Sequence, residues 1–218
     1  MKRLQRTIRF SAFVFSLIVT ASLATQVGEA ATYFVAQTGS NAYTCSQSQS
    51  DSTPRRTISA GLSCLASGDT LQVGSGTYAE SIFSINGSSI PNGSPLRYTR
   101  IVGTGKVFLA PTSSEPALSA GIYLGGSASY IEFDGIGGDG VNHTSLNWPG
   151  CCGLVLGGTA PGSIHHIRLL NGEFKNNKCG SMGFGKASDV DIIGNYLHDD
   201  QCNSFSHGLY LARTRSGS

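Results

Sequence analysis

Ile167-Arg168-Leu169-Leu170-Asn171-Gly172-Glu173-Phe174-Lys175 and Val190-Asp191-Ile192-Ile193-Gly194-Asn195-Tyr196-Leu197-His198 share one physical pattern. Apolar positions fall on apolar positions and turn formers on turn formers, and the same 23-residue step carries Cys179 onto Cys202. A repeat of this length, built from short alternating stretches, predicts stacked units, none of which can bury its apolar face alone.

Working outward, two kinds of short strand alternate. One kind starts with glycine, as in Gly121-Ile122-Tyr123-Leu124, Gly153-Leu154-Val155-Leu156, Gly183-Phe184 and Gly208-Leu209-Tyr210-Leu211, at steps of 32, 30 and 25 residues. The other kind is Ile131-Glu132-Phe133, Ile167-Arg168-Leu169 and Val190-Asp191-Ile192, followed two residues later by Gly135, Asn171 or Gly194. Gly and Asn tolerate the left-handed backbone that a sharp corner needs. Short strands are predicted at 71–73, 98–102, 106–109, 122–124, 130–133, 154–156, 164–169, 182–184, 190–193 and 209–211. With no helix between them to act as a crossover, they fit an all-β chain wound as a parallel β-helix. The alternative is an antiparallel sandwich, whose strands need no fixed repeat.

Upstream, residues 32–36 read as a strand and 37–54 as a polar loop holding Cys45. Ile58, Leu62 and Leu65 then recur at helical spacing, with Thr53 or Ser52 as a cap and Gly68 as a stop. This single short helix is expected to cover the open end of the stack. The glycine-rich residues 74–76 read as a turn.

The segment 32–80, with Cys45, Thr57-Ile58, Cys64, Gly68-Asp69-Thr70-Leu71-Gln72-Val73 and Gly76-Thr77-Tyr78, resembles the N-terminal cap and first coil of secreted right-handed parallel β-helix proteins of the pectate-lyase-like superfamily. Later coils, including Ser206-His207-Gly208-Leu209-Tyr210, are similar to the repeats of that group. The resemblance implies a capping segment over 31–68 and coils over 69–218. It implies much less about activity, because the superfamily spans polysaccharide lyases, hydrolases, epimerases and non-catalytic surface proteins.

Residues 1–30 stand apart. Lys2, Arg3, Arg6 and Arg9 precede an apolar run over 10–24, with small residues at Ser22/Ala24 and Gly28/Ala30, which reads as a secretory signal peptide. The apolar run is shorter than the roughly 20 residues of a membrane span, so no stable span is expected; a retained anchor is the alternative. Removing 1–30 takes away four of the 15 basic residues and one of the 13 acidic ones, leaving 11 against 12. A basic stripe for nucleic acid is therefore not expected. Residues 31–218 are read as one domain of a secreted, periplasmic or cell-surface protein. Its 29 glycines and 13% charged residues suit a chain of many tight turns.

Six cysteines in an exported chain point to disulfides, and no Cys-x-x-Cys pair suggests a metal. Stacking places equivalent residues of adjacent coils about 4.8 Å apart, so Cys179 is expected to bond Cys202. Cys45 is expected to bond Cys64 separately, tying the polar loop to the capping helix. Cys151 and Cys152 form either a vicinal pair or separate bonds.

Glu132, Arg168 and Asp191 alternate in sign at equivalent outward positions, which predicts an ion-pair ladder that sets register; a uronate-binding arginine is the alternative reading. Lys175-Asn176-Asn177-Lys178 should stack against His198-Asp199-Asp200-Gln201. Oxygens of Asn176, Asn177, Asp199 and Asp200 then gather as a calcium site, with Lys175 or Lys178 as the base of a calcium-assisted β-elimination. The same residues also suit solvated turns. Tyr123, Val155 and Tyr210 face outward on the glycine-led strands, with His207 and Arg213 beside the last. Since substrate in the resembling group lies along an outer face, Tyr123, Tyr210 and Arg213 are candidate sugar contacts, and His207 a candidate acid or base.

The insertion 137–152 carries Asp139, His143 and Trp148, and the indole either walls a cleft or packs on the coils. His165 and His166 read as structural. Asn86, Asn92 and Asn142 open glycosylation sequons of the kind that arise easily in such a composition. The stretch 213–218 supplies no partner strand for the last coil, so the chain is expected to be the N-terminal part of a longer protein. The expected function is an exported carbohydrate-active protein of polysaccharide-lyase type on an acidic polysaccharide or cell-surface glycan. The alternative is a non-catalytic, adhesin-like rod that binds glycans or serves as structure.

Overall fold

The computed structural model of the chain describes residues 29–111, 120–140, 152–177, 180–200 and 207–212. The chain runs through β1 (Thr32–Val35), α1 (Ile58–Leu62), β2 (Thr70–Val73), β3 (Gly76–Tyr78), β4 (Ile82–Ile85), β5 (Thr99–Leu109) and β6 (Ile122–Gly126). It continues through β7 (Ser129–Asp139), β8 (Cys152–Gly158), β9 (Ile164–Leu170), β10 (Glu173–Lys175), β11 (Gly180–Gly185), β12 (Ala187–Ile193), β13 (Tyr196–His198) and β14 (His207–Ala212). All pairings between these strands are parallel. That excludes the antiparallel sandwich and is consistent with a parallel β-helix.

Chain order and spatial order explain one another. The larger sheet takes β1, β2, β5, β7, β9 and β12 as neighbours, while β4, β6, β8, β11 and β14 form a second sheet. The chain alternates between the two, moving one place along on each return. The larger sheet also bends. β5 pairs with β2 through residues 100–103 and with β3 through 107–109; β7 pairs with β9 at its start and with β10 at its end. The stack therefore presents three faces. The first holds β2, β9 and β12, the second β3, β10 and β13, and the third β4, β6, β8, β11 and β14.

The inward residues form columns. Leu71, Ile101, Phe133, Leu169 and Ile192 are register partners in succession, and the first four are at most 1% exposed. On the third face Ile82, Ile122, Leu154, Met182 and Leu209 do the same. Burying a side chain of this kind contributes about 1.5–3 kcal/mol, and no coil can bury its own column without its neighbours.

The bends recur in register. Between the first and second faces the left-handed residue is Gly135, Asn171 and Gly194 in successive coils, at φ 69, 53 and 69°, the three residues expected there from sequence. Between the second and third faces it is Gly140, Asn176 and Asp199, at φ 63, 54 and 54°.

The helix is shorter than its spacing predicts. It begins at Thr57, whose hydroxyl accepts from Ala60 N at 3.2 Å, rather than at Ser52 or Thr53. Glu80 accepts from the N–H groups of Ile58 and Ser59 at 2.9 and 3.0 Å, satisfying donors that a first turn leaves open. Leu65 lies past its end, packed against the core. Gly61 faces β1 and β2 so closely that a Cβ would lie 2.4 Å from Val35 and 2.7 Å from Leu71.

Cys45 and Cys64 are bonded, with Cα atoms 5.3 Å apart. The bond closes a loop of 19 residues' separation, which is worth about 3 kcal/mol. Replacing both cysteines by serine is expected to lower the denaturant midpoint correspondingly, and an unchanged midpoint would show that the loop adds nothing to stability. Cys179, Cys202 and Cys151 lie outside the described residues. The supposed insertion begins later than predicted, since residues 137–139 belong to β7 and Cys152 opens β8.

Candidate functional site

Among the described residues the second face carries the densest cluster of charge, and it is built around a bulge. Between Val102 and Val107 the register of β5 against β7 shifts, so residues 103–106 swing out where β7 has only Gly135. The excursion walls a cavity of about 370 Å³ whose far side is Asn171 and Glu173 and whose floor includes Phe108 and Gly135. The neighbouring Gly137 keeps the backbones close, since a Cβ there would lie 1.9 Å from the carbonyl oxygen of Glu173.

Glu173 is the hub. Its carboxylate accepts from Lys106 Nζ at 2.5 Å, across two coils, from Lys175 Nζ at 3.3 Å and from His198 Nε2 at 3.3 Å. The Lys106 hydrogen bond, assisted by Lys175 and His198 and opposed by burial, holds the carboxyl down at about 2. Lys175 also lies 3.6 Å from Asp139 and 4.4 Å above the Phe108 ring. Glu173 first, then Asp139, raise its pKa. His198 is gripped at both ends, Nδ1 to Asp199 at 2.6 Å and Nε2 to Glu173, and its pKa is raised, chiefly by Asp199. Tyr196 stacks on it at 4.1 Å.

This electrostatic setting favours roles different from those expected. Lys175, predicted as a base, has its pKa raised by Glu173 and then Asp139, which favours the charged form. His198, with Asp199 orienting one nitrogen and the other facing Glu173, is the group best able to exchange a proton. Glu173, Lys106, His198 and Tyr196 were not singled out from sequence. The 23-residue repeat does pair Glu173 with Tyr196 and Lys175 with His198, as observed, so those contacts were available in principle. Lys106 was not, because its reach depends on the bulge.

The four oxygen-bearing turn residues do not converge as a calcium site. Asn176 donates outward to Asp139 at 2.8 Å, whereas Asn177 is fully buried and donates to Asp200 at 3.0 Å. Ser181 donates to the other oxygen of Asp200 at 2.6 Å, and Asp199 is taken by His198. Stacking does align Asn176 with Asp199, but at the left-handed bend Asn176, at φ 54°, turns outward while Asn177 turns into the interior. Among the described residues no group of three or more His, Cys, Asp or Glu can hold a metal.

The candidate sugar contacts lie on the third face, away from this cluster. Tyr123 stacks on Phe83 at 5.0 Å, and Tyr210 shares its outward row, with Val155 and Gly183 intervening. His207 opens β14 opposite Gly180. Lys178, Trp148 and Arg213 lie outside the described residues.

On the first face the predicted ladder is present and longer by one member. Arg100 pairs with Glu132 at 2.6 Å, Glu132 with Arg168 at 3.4 Å and Arg168 with Asp191 at 3.5 Å. Arg168 also covers the Tyr98 ring at 4.2 Å.

No protein family, no curated protein and no solved structure matches the chain. Among the described residues no helix is long and apolar enough to cross a membrane.

Proposed function

We propose that this chain is an exported right-handed parallel β-helix of the pectate-lyase-like kind, with α1 covering its first coil, and that it cleaves an acidic polysaccharide by β-elimination in the second-face groove. The observation that carries the reading is the convergence of Lys106, Lys175 and His198 on one carboxylate beside an open cavity. A uronate offers the same chemical group as Glu173, so Lys106 and Lys175, the cations that hold Glu173, also suit a substrate carboxylate. Neutralising that carboxylate acidifies the C5 proton. The neutral imidazole of His198 takes this proton at Nε2, the C5–H electron pair forms the C4–C5 double bond, and the C4–O4 bond breaks as the leaving oxygen gains a proton from solvent. Because Asp199 and Glu173 favour the charged imidazole, the rate should rise with pH through a midpoint above the ordinary histidine value of 6.5.

A second reading, a non-catalytic glycan-binding rod, is favoured by one feature. Lys106, Lys175, His198 and Glu173 all have protein partners, as the members of the first-face ladder do. The full chain should be incubated with pectate, alginate and glycosaminoglycans, with calcium and with chelator, and the ultraviolet absorbance of unsaturated product followed. The lyase reading expects product from at least one substrate and a loss of about 10²–10⁴-fold in His198→Gln, the contribution of a positioned acid or base. Silence on every substrate, or an unaffected variant, would leave the rod.

A further inference from the structure

At the bend that enters the first face, the left-handed position is held in successive coils by Tyr130, His166 and Asp189, at φ 55, 53 and 51°. The bends on either side of the second face use only Gly, Asn and Asp there. For a tyrosine or histidine this backbone costs about 1–2 kcal/mol, so the side chains themselves call for an explanation.

At His166 the strain has a geometric result. Neighbouring residues of a strand point to opposite sides, yet the bend brings His165 and His166 together, Nδ1 to Nδ1 at 2.8 Å. Tyr130 braces both rings, stacking on His166 at 4.6 Å and meeting His165 edge-on at 5.4 Å. Both histidines remain partly exposed. As a hydrogen bond the pair uses one proton. If that proton relocates to Nε2 of the same ring, two lone pairs face the same small space.

Metal–nitrogen bonds of about 2.0–2.1 Å meeting at a right angle set two nitrogens about 2.9 Å apart, close to the spacing found. The geometry points to His165 and His166 as a two-ligand site for copper(II) or nickel(II), which take tetragonal arrangements with water in the remaining positions. The ion displaces the shared proton to Nε2 and releases none. The site belongs to the first-face bend and is independent of the groove on the second face.

The test uses the full chain without an affinity tag, titrated with nickel(II) by calorimetry and with copper(II) by electron paramagnetic resonance. One equivalent should bind, with coupling to two imidazole nitrogens. His165→Ala and His166→Asn should each weaken binding at least about tenfold, a loss seen even when only an outer partner is removed, whereas His198→Gln should not. Asparagine accepts the left-handed backbone at position 166, so the thermal midpoint of that variant should match or exceed the parent's, separating ligand loss from unfolding. No saturable binding, or unchanged affinity in both histidine variants, would reduce the pair to a hydrogen bond and overturn the proposal.

Discussion

Replacing Phe133 with alanine is expected to destabilise the fold by about 3–5 kcal/mol. Phe133 is 1% exposed, in the middle of the column Leu71, Ile101, Phe133, Leu169 and Ile192. Its neighbours cannot move in to fill the space, because the ladders of β5 and β9 on either side fix the spacing between coils. The lost transfer energy and the cavity therefore add. Ile192, at the far end of the same column and only half-buried, offers a matched control. Ile192→Ala should cost about 1 kcal/mol, the typical loss for a single substitution. Urea denaturation of both variants measures the difference. Equal losses would mean that the column does not act as a continuous core.

Glu173→Gln is expected to have the larger effect on the site. The parent carboxyl titrates at about 2 instead of its usual 4.5, so the folded state binds its proton less readily than the unfolded state does. The resulting stability is fully present above about pH 4.5 and is lost as pH falls towards 2. The glutamine variant should be less stable than the parent at neutral pH, and the gap should close over that acid window. His198 has a raised pKa and contributes in the opposite sense, its share disappearing as pH rises. Asp199, the larger cause, is untouched in the variant, so His198 should still titrate above its ordinary value. Denaturation midpoints across pH, with nuclear magnetic resonance titration of the imidazole, check both. A gap that does not vary with pH would remove Glu173 from the hub of this cluster.

Two of the three faces were legible in the sequence because their strands are long enough to alternate. Ile131-Glu132-Phe133 and Ile167-Arg168-Leu169 each set apolar, charged and apolar residues in succession, and the pattern fixes their register as well as their existence. The second face was missed as a face. β3, β10 and β13 have three residues each, too few for alternation to stand out, so Gly76 read as the end of a turn and Lys175 as the start of one. β4 was missed for a different reason, since Ile82-Phe83-Ser84-Ile85 puts a buried serine where alternation predicts an apolar residue.

The site followed the same divide. The 23-residue step correctly set Lys175 against His198 and Asn176 against Asp199, yet the expected oxygen cluster did not form. Neighbours in register share a row, but which side of the wall each side chain takes depends on backbone conformation at the bend. Asn176, at φ 54°, turns out to Asp139, while Asn177 turns into the interior to Asp200.

By itself the sequence determined the stacking, the parallel direction, the left-handed corners at Gly135, Asn171 and Gly194, the Cys45–Cys64 bond and the alternating charges of Glu132, Arg168 and Asp191. All but the disulfide follow from local periodicity or from the spacing of equivalent coils; the disulfide follows from a polar loop and a short predicted helix that each carry one cysteine. Only the tertiary structure decided that Lys106 meets Glu173 across 67 residues and that His165 and His166 turn to the same side. The first depends on how far a bulge projects, the second on a strained backbone angle, and neither leaves a periodic trace in the chain.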